Sequence, residues 1–407
     1  MTDGRPSGIL PSQWIDEAIT NGIVVSDRPL SPGQIQPNSL DLRLSNIAYR
    51  VNCSFLPGIE GIDKKLERFK WYDLPLSDTG TILEINQVYL IELQERLALP
   101  QEIAVRANPK SSTGRLDVFT RVVTEYGQAF DEVDTGYKGR LFLEVVPRSF
   151  PIKVRPGDCL AQIRFSRGEA NLTRSETVDK VNSEDIILNP RLEPLRANKL
   201  RISSGISLTV DLGRGEITSK DDRTIGYRAR KNQPPIDLRD VGKVAIRRYW
   251  ERIYYSGNQP VILEPDAFYI FASRELVRLP GDICAEMVPF DAGSGELRTH
   301  YAGFFDSGFG YSNHLNAAAA VVLEIRNRDV PFLIEEHQPL FQLELLKNTE
   351  RPDRLYGAVG GSNYQNQRLK LGKQFKLGKQ LTETEDDDEL EESIPKPDSS
   401  SLNLFSD

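Results

Sequence analysis

Ile82-Leu83-Glu84 returns as Ile262-Leu263-Glu264, and the residues after it return at the same spacing. Tyr89, Glu95, Leu99, Pro100, Ile103 and Pro109 reappear as Tyr269, Glu275, Leu279, Pro280, Ile283 and Pro289. Farther on, Leu143-Glu144, Arg148, Pro151, Leu160 and Gln162 reappear as Leu323-Glu324, Arg328, Pro331, Leu340 and Gln342. Every pair lies 180 positions apart, and residues 82–109 and 143–162 share 15 of 48 residues with their counterparts without a gap. A fixed offset of this length marks a duplicated unit. Upstream, Asn38 to Leu44 echoes Ile206 to Leu212 at an offset of 168.

Each copy reads as short strands. Ser39–Leu44, Val88–Leu93, Ile103–Ala107, Arg140–Val146 and Leu160–Phe165 alternate or run apolar, and Pro100, Pro109, Gly139, Pro151 and Pro156-Gly157 punctuate them. Evenly spaced short strands predict a mainly β chain, two tandem barrel or jelly-roll domains with few short helices. Helical pattern is confined to Pro11–Asn21 and Asp240–Ile253. The expected organisation is a first domain over 1–190, a second over 191–379, and an acidic tail over 380–407. At 407 residues the chain has room for two such cores.

The net charge of −8 belongs to the tail: residues 381–407 hold ten Asp and Glu against one Lys, leaving the body near neutral. A neutral body carries no field for non-specific nucleic-acid binding. The tail predicts a solvated, disordered segment, with Leu402–Phe405 as a docking peptide the sharper alternative. No apolar run approaches the roughly 18 residues of a membrane span. The N-terminus has no signal-peptide pattern, and Cys53, Cys159 and Cys284 are too scattered for a disulfide framework, which predicts a reducing cytoplasm.

His300, His314 and His337 are the only histidines, and with three dispersed cysteines they match no zinc-ligand spacing. Gly-x-Ser-x-Gly, Walker and Rossmann patterns are absent. Chemistry must come from carboxylates, hydroxyls, cations and backbone. Lys110-Ser111-Ser112-Thr113-Gly114-Arg115 follows Asn108-Pro109 and supplies hydroxyls and cations on one turn. It suits a phosphate cradle or an ordinary polar turn. Glu144 interrupts the apolar strand Leu141–Val146, and Glu324 interrupts Ala318–Ile325. A carboxylate there is either aimed at solvent or has a partner or a task.

These stretches, in this order, resemble the dCTP deaminases of the dUTPase-like superfamily. Gln36-Pro37-Asn38-Ser39-Leu40-Asp41-Leu42-Arg43-Leu44 is similar to an early family strand, and Ser111-Ser112-x-x-Arg115 to its phosphate motif, with Lys110 where arginine is usual. Asp134-x-Gly136-Tyr137-x-Gly139-x-x-x-Leu143-Glu144 resembles the sugar and base motif, with Thr135 replacing proline. Ala302-Gly303-x-x-Asp306-x-Gly308-Phe309-Gly310 resembles it in the second copy, and Tyr356 with Tyr364-x-x-Gln367 resembles the closing segment. The length suits a long tandem form.

The resemblance implies zinc-free deamination of dCTP to dUTP and ammonia. Glu144 would be general base on a water beside C4 of cytosine, with Ser111 and Arg115 holding that water. Lys110, Ser112 and Arg115 would hold the triphosphate, Asp134 the 3′-hydroxyl and Tyr137 the sugar pocket, with Tyr356, Tyr364 and Gln367 closing over the nucleotide. Mg²⁺ would ride on the triphosphate, and a homotrimer is expected. Two placements of the site stay open. Either the first copy is complete, or Lys110–Arg115 works with Asp306 and Glu324 in a composite site. Spacing favours the first, because Asp306 and Glu324 stand eight residues farther apart than Asp134 and Glu144, and Asp291-Ala292-Gly293-Ser294-Gly295 replaces the phosphate motif in the second copy. The rival activities are dUTP hydrolysis to dUMP, a bifunctional enzyme, and a non-catalytic dNTP-binding regulator.

Overall fold

A computed structural model describes residues 6–213, 223–257, 260–289, 298–299, 303–311, 317–357, 364–365 and 367–376. The Asp291–Gly295 stretch, His300, Ala302, His314 and the tail 380–407 lie outside the described residues.

The chain is mainly β, in two tandem units. In the first, an antiparallel sheet runs in the order Val118–Thr124, Lys138–Pro147, Val88–Ala98, Leu40–Val51, Cys159–Arg167, Ile103–Pro109, Glu132–Val133. In the second, Trp250–Tyr254, Thr224–Ala229, Phe268–Val277, Ala319–Arg326 and Arg298–Thr299 form one sheet, and Ile206–Thr209, Pro339–Lys347, Ile283–Pro289 and Phe304–Phe305 form another.

Strand register carries the 180-residue offset into three dimensions. Leu83 faces Ile152 as Leu263 faces Phe332, and Leu90 faces Glu144 as Ile270 faces Glu324. The shared tyrosines are structural: the Glu84 N–H donates to the Tyr89 hydroxyl at 3.1 Å, and the Glu264 N–H to that of Tyr269 at 2.8 Å. The upstream echo is real but two residues out of register. Asp41 lies opposite Gln162 and Ser207 opposite Gln342, which fixes the offset at 166. Glu95 accepts from the Arg43 N–H as Glu275 accepts from that of Thr209, at the same offset.

Ser12–Thr20 is helical, as its pattern predicts, but Asp240–Ile253 is not one helix. Only Ile246–Tyr249 is helical, and Trp250–Tyr254 is a strand against Thr224–Ala229. The buried Trp250 indole decides this by sitting among the rings of Phe150, Tyr227, Phe268 and Phe375, burial that outweighs local propensity. Two helices escape the sequence pattern, Ile62–Phe69 and Arg174–Ser183, the latter started by a Thr173/Glu176 capping box.

The two units share packing. Trp250, Phe268, Ile270, Val322, Leu371 and Phe375 join the core of the first repeat, while Val321, Leu323 and Ile325 belong to the core of the second. Alternation along Ala319–Arg326 therefore turns Val322, and with it Glu324, toward the first repeat. A buried ion pair, Arg326 with Asp117, crosses the same boundary, and the Arg326 Nε–H donates to Asp117 Oδ1 at 3.2 Å. Asn108 Nδ2 donates across it to Glu286 at 3.1 Å.

Candidate active site

The boundary between repeats holds a cavity of 540 Å³ whose wall includes Lys110, Ser111, Ser112 and Arg115 from the first repeat and Asp306, Glu324, Tyr356, Tyr364 and Gln367 from the second. The phosphate-motif turn follows the edge of Ile103–Pro109 and closes as one short turn, Ser111–Gly114, which leaves Arg115 buried at its end. The Lys110 ammonium pairs with the Asp41 carboxylate, so the early family-like strand braces this turn.

Arg115 organises the middle of the cavity. It donates to the Lys370 carbonyl at 2.8 Å and to Gln367 Oε1 at 2.9 Å, and its guanidinium lies 3.9 Å from the Tyr364 ring centre. Gln367 in turn donates to the Ala320 carbonyl at 3.0 Å, tying the closing segment to the Glu324 strand. Arg115 Nε stands 3.8 Å from Glu324, beyond hydrogen-bond reach. Burial therefore dominates and pushes the Glu324 carboxyl up to about 8, with Arg115 opposing and Asp117 adding to the rise. A carboxyl balanced near neutrality can take up and give back a proton.

Asp306 sits at the far wall. Arg164 donates to Asp306 Oδ1 at 2.9 Å and stacks at 4.1 Å on the Phe304 ring, while the Ser39 hydroxyl donates to Oδ2 at 3.4 Å. The Ser307 N–H donates to Asn38 Oδ1 at 2.8 Å. Asn38 and Ser39, just before the strand Leu40–Val51 of the first repeat, thus hold the sugar-like motif of the second. Burial raises the Asp306 carboxyl, and Arg164 opposes that rise. Tyr356 packs against Phe309 at 5.7 Å between ring centres, and burial raises its phenol.

The remaining candidates lie elsewhere. Glu144 is 3 % exposed and is not part of the cavity wall. Arg121, on the neighbouring strand, donates to Glu144 Oε1 from two nitrogens, at 3.0 and 2.6 Å. Arg121 is held by Ser54 at 2.7 Å and stacks 3.6 Å from the Phe130 ring centre. Asp134 is exposed, and the Tyr137 hydroxyl is engaged with the Arg140 carbonyl and the Glu125 N–H. The geometry therefore gathers the composite set and leaves the first-copy set apart, against the preference that spacing suggests. The physical reason is that Glu324 faces the other repeat, whereas Glu144 pairs with Leu90 and shares the strand face of Phe142, and those two pack with Ile62 and Leu66 of the first repeat's own helix.

Two contributors carry no motif signal, Arg164 beside Asp306 and Lys373 beside the phosphate turn, while Ser39 stands within the early strand motif with no role assigned to it there. Lys373 forms no ion pair among the described residues, and burial pulls its ammonium below the usual lysine range, with Lys110 adding to the fall. A run rich in Lys and Gln over Asn363–Lys379 is the one hint in the sequence. Among the described residues no three His, Cys, Asp or Glu group as a metal's ligands would, and no helix is long and apolar enough to cross a membrane.

Comparison with known proteins matches both halves. Residues 6–169 match the 2′-deoxycytidine 5′-triphosphate deaminase N-terminal domain, and residues 182–375 match the C-terminal domain. The crystal structure of 2′-deoxycytidine 5′-triphosphate deaminase from Agrobacterium tumefaciens superposes with a TM-score of 0.78 at 40 % identity, over 84 % of this chain and 100 % of that one. A dUMP-forming dCTP deaminase of a Nocardioides species is 31 % identical over 35 % of this chain and 72 % of its own length. A dCTP deaminase of Ignicoccus hospitalis is 25 % identical over 42 % of this chain and 89 % of its own. Curated relatives of this kind span one repeat, the Agrobacterium protein spans both, and the chain belongs to the dCTP deaminase family in a tandem form.

Proposed function

We propose that the chain hydrolyses dCTP to dUTP and ammonia at the cavity between its repeats, with Glu324 as the general base. The observation that carries this is Glu324 itself: a buried carboxyl raised to about 8, facing the Lys110–Arg115 turn across one cavity. In this reading water adds to C4 of the cytosine as its proton passes to Glu324. The C4–N4 bond then breaks and the proton leaves with ammonia. Ser111 and Arg115 hold the water and stabilise the developing charge. Ser112, Lys110 and Lys373 take the triphosphate, Asp306 takes the 3′-hydroxyl, and Tyr356, Tyr364 and Gln367 close the site. Mg²⁺ enters on the triphosphate, which suits a wall whose two aspartates are already engaged, Asp41 with Lys110 and Asp306 with Arg164. A homotrimer in the cytoplasm belongs to the same reading and rests on the family resemblance.

Incubation with dCTP and Mg²⁺, with ammonia and nucleotide products followed chromatographically, tests it. The expected product is dUTP; dUMP would make the chain bifunctional, as the names of several relatives say of them. Binding without ammonia release would reduce it to a nucleotide-binding regulator. The carboxylate form must act, so kcat/KM should rise with pH up to about 8 and level off above it.

A further inference from the structure

We infer that residues 236–244, a segment of the second repeat that runs along the first, are a latch that sets Lys373 at the triphosphate end of the site, with Asp237 and Arg155 as its positioning pair. This rests on the proposed dCTP site and extends it to residues outside the cavity.

The latch is fastened at both ends. At one, Ile236–Asp237 runs parallel to Ile152–Val154 of the first repeat, and the Ile236 N–H donates to the Pro151 carbonyl at 2.9 Å. Arg155 grips Asp237 with two parallel bonds of 2.6 Å each, which holds the Asp237 carboxyl far below the usual carboxylate range. Arg239 donates to Asp158 at 2.8 Å one turn later. At the other end the latch takes hold of the closing segment through its backbone. The Gly242 N–H donates to the Lys373 carbonyl at 2.9 Å, those of Lys243 and Val244 donate to the Gln374 carbonyl, and the Lys376 N–H returns a bond to Val244. Phe375 is buried between Tyr249 and Trp250, which fixes the position of this contact.

Lys373 is thereby pinned by its own carbonyl while its side chain reaches the phosphate turn. It lines both the main cavity and a second one of 280 Å³, and Ser112 is the other residue common to both. The second cavity continues past Ser112 and Thr113 to Arg239 and Gln374 of the latch and the closing segment. A long anion whose base lies at Glu324 would end here, so Lys373 is placed to read the terminal phosphates rather than the base or sugar. A lysine that is half-desolvated and without a carboxylate partner among the described residues gains most from an anion. The backbone clamp keeps that lysine from relaxing into solvent when no nucleotide is bound.

Steady-state kinetics on the full chain with dCTP and dCDP test this. Lys373→Ala should raise KM for dCTP about tenfold and leave KM for dCDP nearly unchanged, erasing the preference between them. Asp237→Asn should raise KM for dCTP with kcat held within about twofold, and the Asp237→Asn/Lys373→Ala double variant should be no worse than Lys373→Ala alone. Arg155→Lys, which keeps the charge and loses the fork, is the milder second probe and should shift the same ratio less. Additive effects of Asp237→Asn and Lys373→Ala, or equal loss for dCTP and dCDP, would overturn the latch. An unchanged dCTP KM in Lys373→Ala would overturn it as well. Should the wild-type chain itself release no ammonia from dCTP, the site assignment fails instead.

Discussion

Glu144 and Glu324 occupy the same place in two copies of one strand, yet their surroundings have opposite character. Glu144 accepts two bonds from Arg121 of its own repeat. Glu324 has a guanidinium 3.8 Å away, no hydrogen bond to it, and a cavity in front. Duplication supplied two equivalent carboxylates; one forms an ion pair inside its own repeat, and packing between the copies leaves the other buried beside a cavity. The difference teaches that a motif is completed by what faces it. In a fused chain the facing surface comes from the other copy.

The largest test of that contrast is activity. Glu324→Gln should lower dCTP turnover by on the order of 10³-fold, while Glu144→Gln should stay within a few-fold of wild type. The opposite pattern would move the site to the first repeat and undo the composite reading.

Much of this was legible beforehand, but unevenly. The duplication, the strands and the phosphate turn are local patterns, and the register of Leu90 with Glu144 and Ile270 with Glu324 repeats the sequence offset directly. What spacing does not show is partnership. Asp134 to Glu144 looks tighter than Asp306 to Glu324, but both distances are measured along one chain, and the cavity brings the phosphate turn to Asp306 and Glu324 from across a boundary. Arg164 and Lys373 are invisible for the same reason, since each reaches the site through a contact more than a hundred residues away. The helical reading of Asp240–Ile253 fails because Trp250 is held by rings from four other segments.

Stability should separate the two carboxylates next. Arg121→Ala strands a buried Glu144 and should cost about 3 kcal/mol in denaturant unfolding, with activity per folded molecule retained. Arg121→Ala combined with Glu144→Leu removes both charges and should recover most of that loss. A double variant as unstable as Arg121→Ala would mean the arginine matters through Ser54 and Phe130 instead.

A third test uses pH. The folded chain holds a proton on Glu324 up to about 8, whereas an unfolded glutamate releases it near its ordinary value. Between those limits the native state binds more protons, so stability from this group is present at low pH and falls as pH rises through about 8. Glu324→Gln carries no such penalty. Its thermal midpoint should match wild type near pH 5 and exceed it by a few degrees at pH 9. A gap independent of pH would mean that Glu324 ionises as an ordinary carboxylate.

The smallest effect concerns the two aspartates that precede these glutamates. Asp306 is buried, bonded by Arg164 and Ser39, and borders the cavity. Asp134 is exposed and outside the cavity wall. Asp306→Asn keeps the shape and one carbonyl acceptor, so the sugar contact weakens without vanishing, and KM for dCTP should rise about tenfold. Arg164 loses a charged partner in the same substitution, so part of that rise should be regained in Asp306→Asn/Arg164→Gln, where amide faces amide. Asp134→Asn should leave KM unchanged, because its side chain is exposed and forms no ion pair among the described residues. A KM shift in Asp134→Asn larger than in Asp306→Asn would show that the first repeat's sugar motif meets a nucleotide and would move the sugar contact away from Asp306.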